Sequence, residues 1–97
     1  MIHQMRIYTI NRGAMDEFLA HFHDQTLPLH KQVGIDVTTT LVNRPQNEFI
    51  WVRTFADAAD RDAKQAAFQQ AAKDAGVVLG GTVAKMEIRE TEQAFKD

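Results

Sequence analysis

With 97 residues, 13 acidic and 11 basic side chains and a formal charge of −2, the chain is the size of one domain and nearly neutral. No run of Lys or Arg is present, which leaves a nucleic-acid footprint or a basic membrane patch unsupported, and the lack of cysteine excludes disulfides, thiol nucleophiles and Cys-ligated metal centres. No apolar run reaches the ~20 residues of a membrane span, and Met1–Arg6 carries no charged segment followed by an apolar one, so a cytoplasmic domain without a signal peptide is expected.

The first element predicted is a strand over Ile2–Ile10. Met5, Ile7 and Thr9 share one of its faces and Gln4, Arg6, Tyr8 and Ile10 the other. Neither face is plainly polar, which suits a central strand covered on both sides. Gly13 breaks it. From Ala14 to about Val33, Met15, Phe18, Leu19, Phe22, Thr26, Leu29 and Val33 recur at three- and four-residue steps, the pattern of one apolar helix face. Pro28 is expected to kink or split this helix, leaving a main piece to about Thr26 and a short one from Pro28, closed by Gly34.

Ile35–Val42 alternates with threonines and reads as an edge strand, with Ile35, Val37, Thr39 and Leu41 on one face. Asn43–Asn47 is the turn into Phe49–Phe55, an apolar central strand with Phe49, Trp51, Arg53 and Phe55 on one face. Asp57 caps a second helix running to about Ala75, with Asp60 as its capping-box partner. Its alanines, Ala59, Ala63, Ala66, Ala67 and Ala71, are expected to form a smooth face against the sheet, and Gly76 to stop it. After a loop with Gly80-Gly81, Thr82–Arg89 is a second edge strand. Glu90–Asp97 is a polar tail, with Phe95 as a potential anchor.

The order β-α-β-β-α-β with right-handed crossovers is a ferredoxin-like α+β fold: a four-stranded antiparallel sheet, strands one and three central, both helices on one face. The apolar residues on the other face would then stay uncovered. A homodimer is therefore expected, two sheets packing face to face about a twofold axis.

Three segments resemble the NIPSNAP family. Met5-Arg6-Ile7-Tyr8-Thr9-Ile10 with Gly13 is similar to its "Leu-Arg-x-Tyr" strand and following glycine. Leu27-Pro28-Leu29 through Gly34-Ile35 is similar to its "Pro-Leu-x-x-x-x-Gly" helix end, and Asn47–Asp57 continuing to Ala63 to its third strand and second-helix start. The usual longer loop with an aromatic after the second helix is shortened here. The resemblance implies one dimeric α/β-barrel domain over residues 1–97. It implies little chemistry: animal members are linked to vesicle traffic and mitochondrial signalling. Related dimeric barrels include cofactor-independent quinone-forming monooxygenases, haem-degrading enzymes and small stress proteins.

Arg6 and Tyr8 share a face of the first strand, and Trp51 and Arg53 a face of the third. If the register joins them, a cation, a phenol and an indole face one space, suited to a small aromatic or carboxylate ligand. The same residues also read as packing in the core or dimer interface. His21 and His23 are two apart on a helix, roughly 200° round, and cannot chelate one ion, while Pro28 spoils the seven-residue spacing of His23 and His30. No metal site and no cofactor is expected. As the general base of a cofactor-independent monooxygenase or isomerase, His23 or His30 is the choice, since an imidazole titrates near working pH. Serine is absent, which excludes Ser-His-Asp hydrolysis. The readings left open are a ligand-binding NIPSNAP-like domain, such an enzyme on an aromatic or quinone-like compound, and a purely structural or interaction role.

Overall fold

Strand β1 (Ile2–Ile10) lies at the centre of a computed structural model that describes residues 1–95. The chain continues through α1 (Met15–His21), a π-helical turn (Phe22–Thr26), α2 (Leu27–Gln32), β2 (Asp36–Asn43), a 3-10 turn (Arg44–Gln46), β3 (Glu48–Phe55), α3 (Ala58–Ala75) and β4 (Val83–Thr91). The sheet is antiparallel with order β2-β3-β1-β4. This is the ferredoxin-like α+β arrangement, with β1 and β3 central as their two-sided apolar patterns require.

Helices cover the face bearing Gln4, Tyr8 and Ile10 of β1 and Phe49, Trp51, Arg53 and Phe55 of β3, all buried. Two apolar clusters lie beneath them. The first joins Tyr8, Ile10, Met15, Phe18, Phe22, Phe49 and Trp51, and the second Leu29, Ile35, Phe55, Phe68 and Ala72. Aromatic edges meet faces in the first, with Phe18 and Phe49 centroids 4.9 Å apart and Phe22 and Trp51 5.0 Å apart. On the open face, Met5, Ile7, Ile50 and Val52 are half-buried and Leu41 is exposed.

Pro28 does not split the helix. It has no N–H to offer the carbonyl of Asp24, and the helix answers one turn earlier by widening: the Leu27 N–H reaches back five residues to Phe22 O. Helical φ/ψ persists through the turn, and Val33 and Gly34 (φ +79°) end α2. The face assignment of β2 also changes. A register shift between Val37 and Thr39 pairs Val37 with Arg53 but Thr39 with Val52. Val37 thus packs on the first cluster while Thr39 and Leu41 turn to the open face, because one extra residue in a period-two strand reverses every side chain beyond it.

Helix α3 is capped as expected: Asp57 Oδ1 accepts from Asp60 N at 2.8 Å, and Asp60 Oδ2 from Ala56 N at 2.9 Å. Its alanine stripe largely turns away from the sheet: Ala59, Ala63, Ala66 and Ala67 are exposed, Ala71 is half-buried against the second cluster, and Phe68 and Ala72 are buried. Phe68, the one bulky apolar residue of the helix, buries far more apolar surface than any alanine and so sets its rotation. The choice of Phe68 carries Arg61 and Gln65, seven and three residues earlier, toward the same side. Strand β4 runs two residues beyond the predicted end, since Glu90 and Thr91 pair with Gln4 and His3 and Thr91 Oγ1 donates to His3 O at 2.6 Å. Phe95 is exposed, and the last two residues of the predicted tail, Lys96 and Asp97, lie outside the described residues.

Candidate functional site: a cationic cleft between helices and sheet

Register decides what the helix-covered face presents. Arg6 sits between Trp51 of β3 and Ile88 of β4, Gln4 between Arg53 and Glu90, and Tyr8 between Phe49 and Met86. Over these three rows α3 stands away from β1 and β4, and a cleft of about 800 Å³ opens there. Its floor holds Gln4, Arg6, Tyr8, Trp51, Arg53, Met86 and Ile88. Phe18, His21 and Phe22 border one side, and Arg61, Gln65 and Phe68 of α3 the other. Met86 and Ile88 are 44% and 43% exposed, so this part of the cleft offers open apolar surface.

At its centre lies a hydrogen-bonded group built around Gln4. The Gln4 amide oxygen accepts from Arg53 Nε (3.0 Å), Arg53 Nη2 (2.6 Å) and Arg6 Nη1 (3.2 Å). Its amide nitrogen donates to Gln65 Oε1 (3.0 Å) and Glu90 Oε2 (3.2 Å). Arg53 Nη2 also donates to Gln65 Oε1 at 2.9 Å, and Arg6 Nε to the Tyr8 hydroxyl at 2.9 Å. Both guanidiniums lie against Trp51, 5.4 Å and 5.3 Å from its ring centroid for Arg6 and Arg53. The Trp51 Nε1–H is buried and has no hydrogen-bond partner among the described residues.

His30 supports this group from below. Its ring is 1% exposed, packed against Phe68 at 4.2 Å and edge-on to Trp51 at 5.2 Å. Nδ1 lies 2.8 Å from Thr26 O and Nε2 3.2 Å from Arg53 Nη1. Only one tautomer satisfies both: Nδ1–H donates to the carbonyl and the Nε2 lone pair accepts from the guanidinium. Burial pulls the imidazole down to about 4, the Thr26 bond opposing and the cations of Arg53 and Arg6 assisting. Burial, then the charge of Arg6, likewise lowers Arg53 to about 10, which leaves it cationic at neutral pH.

The electrostatic balance is one-sided. Arg61 is matched twice, by Asp62 at 3.0 Å and by Glu90. Arg6 and Arg53 take part in none of the ion pairs among the described residues. Their partners are amides, a phenol, an imidazole and a thioether, all neutral. Buried arginines ordinarily pair with carboxylates.

Of the residues selected from sequence, Arg6, Tyr8, Trp51 and Arg53 meet in one place, with His30 touching Arg53 from behind. His23 does not reach the cleft. It points to solvent and pairs with Asp24 at 2.9 Å. His21, set aside in the sequence reading, borders the cleft instead, its Nε2 2.8 Å from Val78 O. Gln4, Gln65 and Glu90 were also missed. For Gln4 the signal was present, because strand alternation places it beside Arg6 and Tyr8. Gln65 and Glu90 carried none, since only tertiary packing brings α3 and β4 to β1. Among the described residues, no group of three His, Cys, Asp or Glu side chains is placed to hold a metal ion, and no helix is long and apolar enough to cross a membrane.

No family profile and no curated protein matches the sequence. Solved structures do match the fold. A NIPSNAP-domain protein from Burkholderia xenovorans superposes with a TM-score of 0.79 at 19% identity, over 100% of this chain and 99% of the other. A NIPSNAP family protein from Agrobacterium tumefaciens has a TM-score of 0.77 at 19% identity, over 94% and 90%. A structure described as a putative antibiotic biosynthesis monooxygenase, from Bacteroides thetaiotaomicron, follows at 0.70 and 13% identity, over 97% and 90%. At these identities the likeness is one of fold, and the chain folds as NIPSNAP-domain proteins do.

Proposed function

We propose that this chain is a cytoplasmic, homodimeric small-molecule-binding domain whose cleft takes a small organic anion with an aromatic or apolar body. One observation carries the reading: Arg6 and Arg53 sit on Trp51 in the cleft and form no ion pair among the described residues, while the two carboxylates that line the cleft, Asp62 and Glu90, pair with Arg61. Two cations partly removed from water repel one another, and an incoming carboxylate relieves both that repulsion and their lost hydration. Arg6 is the reachable one, half-buried at the floor, whereas Arg53 is 4% exposed and acts behind it. Met86, Ile88 and Phe18 supply the surface for the ligand's apolar part. The dimer rests on the open sheet face, where Met5, Ile7, Leu41, Ile50 and Val52 form an uncovered apolar patch.

Trp51 is the single tryptophan, so its fluorescence reports on the cleft directly. Benzoate is expected to change that emission saturably, and the Arg6→Leu variant, folded by circular dichroism, to bind benzoate at least tenfold more weakly. Equal binding by the two proteins would overturn the reading.

A second reading, a cofactor-independent monooxygenase or isomerase acting on an aromatic or quinone-like compound, draws on His21. Its imidazole borders the cleft with only Nε2 engaged, leaving the other nitrogen to take a proton. His30 suits that role poorly, since Arg53 occupies its lone pair. Oxygen uptake with a hydroquinone, lost in His21→Phe, is the expected result under this reading, and no uptake by the wild-type protein would dismiss it. The open cleft argues against a purely structural role.

A further inference from the structure

We infer that Gln4 and Gln65 determine the charge of the ligand: they satisfy the hydrogen-bonding needs of Arg6 and Arg53 without neutralising them, so that the negative charge must arrive with the ligand. The inference rests on the cleft being the anion site proposed above, and it adds which residues make it so.

The geometry is specific. Three guanidinium N–H groups converge on the one amide oxygen of Gln4, and a fourth on that of Gln65. The Gln4 amide cannot be turned the other way. Its nitrogen would then face three cationic donors, and its oxygen would face the carboxylate of Glu90 and the carbonyl oxygen of Gln65. In its observed orientation the side chain separates charges, with cations at its oxygen and an anion at its nitrogen. Glu90 is the carboxylate that touches the Gln4 amide. It is turned to Arg61 on one oxygen and to the Gln4 amide on the other. A Glu at either glutamine position has nearly the same shape and would place a carboxylate in direct contact with Arg53. That an amide stands at both places is what keeps the pair cationic.

The same geometry states what replacing either amide does. In Gln4→Glu or Gln65→Glu the new carboxylate pairs with Arg53 at hydrogen-bond distance. The field at Arg6 falls, and the charged end of a ligand loses its advantage over a neutral one. Gln65 lies on α3 and is half-buried, so its replacement disturbs the sheet least.

The test is titration of wild-type protein, Gln4→Glu and Gln65→Glu with benzoate and with its neutral analogue benzamide, read by Trp51 fluorescence. Thermal melts of all three proteins accompany it. The wild type is expected to bind benzoate at least tenfold more tightly than benzamide. Each variant is expected to lose at least tenfold in benzoate affinity and to keep benzamide within twofold; Gln65→Glu is expected to melt no lower than the wild type, and Gln4→Glu to melt lower, since its second oxygen faces Glu90 and Gln65 Oε1. Folded variants that keep the wild-type preference for benzoate would overturn this inference and leave the anion-binding reading standing. A wild type without that preference would overturn the anion-binding reading, and the inference with it. A Gln65→Glu variant that fails to fold would also count against it, since a carboxylate opposite an unneutralised arginine should be accommodated.

Discussion

On the helix-covered face, the central positions of β1 and β3 hold Gln4, Arg6 and Arg53. On the open face, the same two strands hold Met5, Ile7, Ile50 and Val52. The covered side of a sheet is ordinarily the apolar one, and here its middle is the most polar part of the interior. The two apolar clusters under the helices flank this polar row. The contrast teaches that helices in this fold do more than shield a core. They stand off the sheet far enough to leave a cleft and bring Gln65 and Arg61 to it, while on the open face the apolar residues of β1 and β3 lie uncovered beside the charged row Lys85, Glu87 and Arg89 of β4.

The largest expected effect that would break this contrast is a change of mass. Ile7 and Ile50 are direct cross-strand partners on the open face, so Ile7→Lys with Ile50→Glu keeps an attractive pair within the sheet while setting charges in the proposed interface. Light scattering is expected to show the wild type at twice 11.0 kDa and the double variant at 11.0 kDa. A wild type that is already monomeric would remove the open face from the comparison.

Next comes the apolar flank of the covered face. Phe55 is 1% exposed beneath α2 and α3, and Phe55→Ala is expected to cost about 3–5 kcal/mol in urea unfolding. A loss under about 1 kcal/mol would mean that this flank collapses around the gap.

The polar centre has its own signature in pH. His30 is neutral in the fold, with its titration lowered from 6.5 to about 4, while in the unfolded chain it takes up a proton near 6.5. Between those values the unfolded state binds more protons, so stability falls as pH falls. The loss is about 3 kcal/mol from pH 7 to pH 4, concentrated between 6.5 and 4. His30→Gln keeps a donor for Thr26 O and an acceptor for Arg53 and is expected to flatten that part of the curve. A slope equal to the wild type's would place the titration elsewhere.

The smallest effect concerns the outer surface of the helix layer. Ala67 is exposed, and Ala67→Lys is expected to change stability by no more than about 0.5 kcal/mol. A cost of several kcal/mol would return the alanine stripe to the sheet.

Much of the fold was legible because its signals are local. Period-two runs marked β1 and β3, the three-four spacing from Met15 to Leu29 marked the first helical stretch, and Asp57 and Gly76 marked the ends of α3. Two local readings failed where packing competes with pattern. The alanines of α3 form a regular stripe, yet Phe68 took the inward position because it has more apolar surface to bury. The alternation of β2 continues on paper through Val37 and Thr39, yet a bulge reverses it. In the site, strand alternation paired Arg6 with Tyr8 and Trp51 with Arg53, and the register of β1 with β3 joined the two pairs. His23 could not be separated from His21, because which side of a helix meets the sheet is settled by contacts far away in sequence.

What the sequence alone determined about this protein is its order of elements, its central and edge strands and the two aromatic–arginine pairs, one on β1 and one on β3. These follow from backbone periodicity and from the two-residue repeat of a strand. Only the tertiary structure decided that the arginines lack carboxylates, that Gln4 and Gln65 stand in their place and that Glu90 is drawn to Arg61. Charge balance depends on which side chains from distant elements come within hydrogen-bond distance, and that distance is set by how far α3 stands from the sheet.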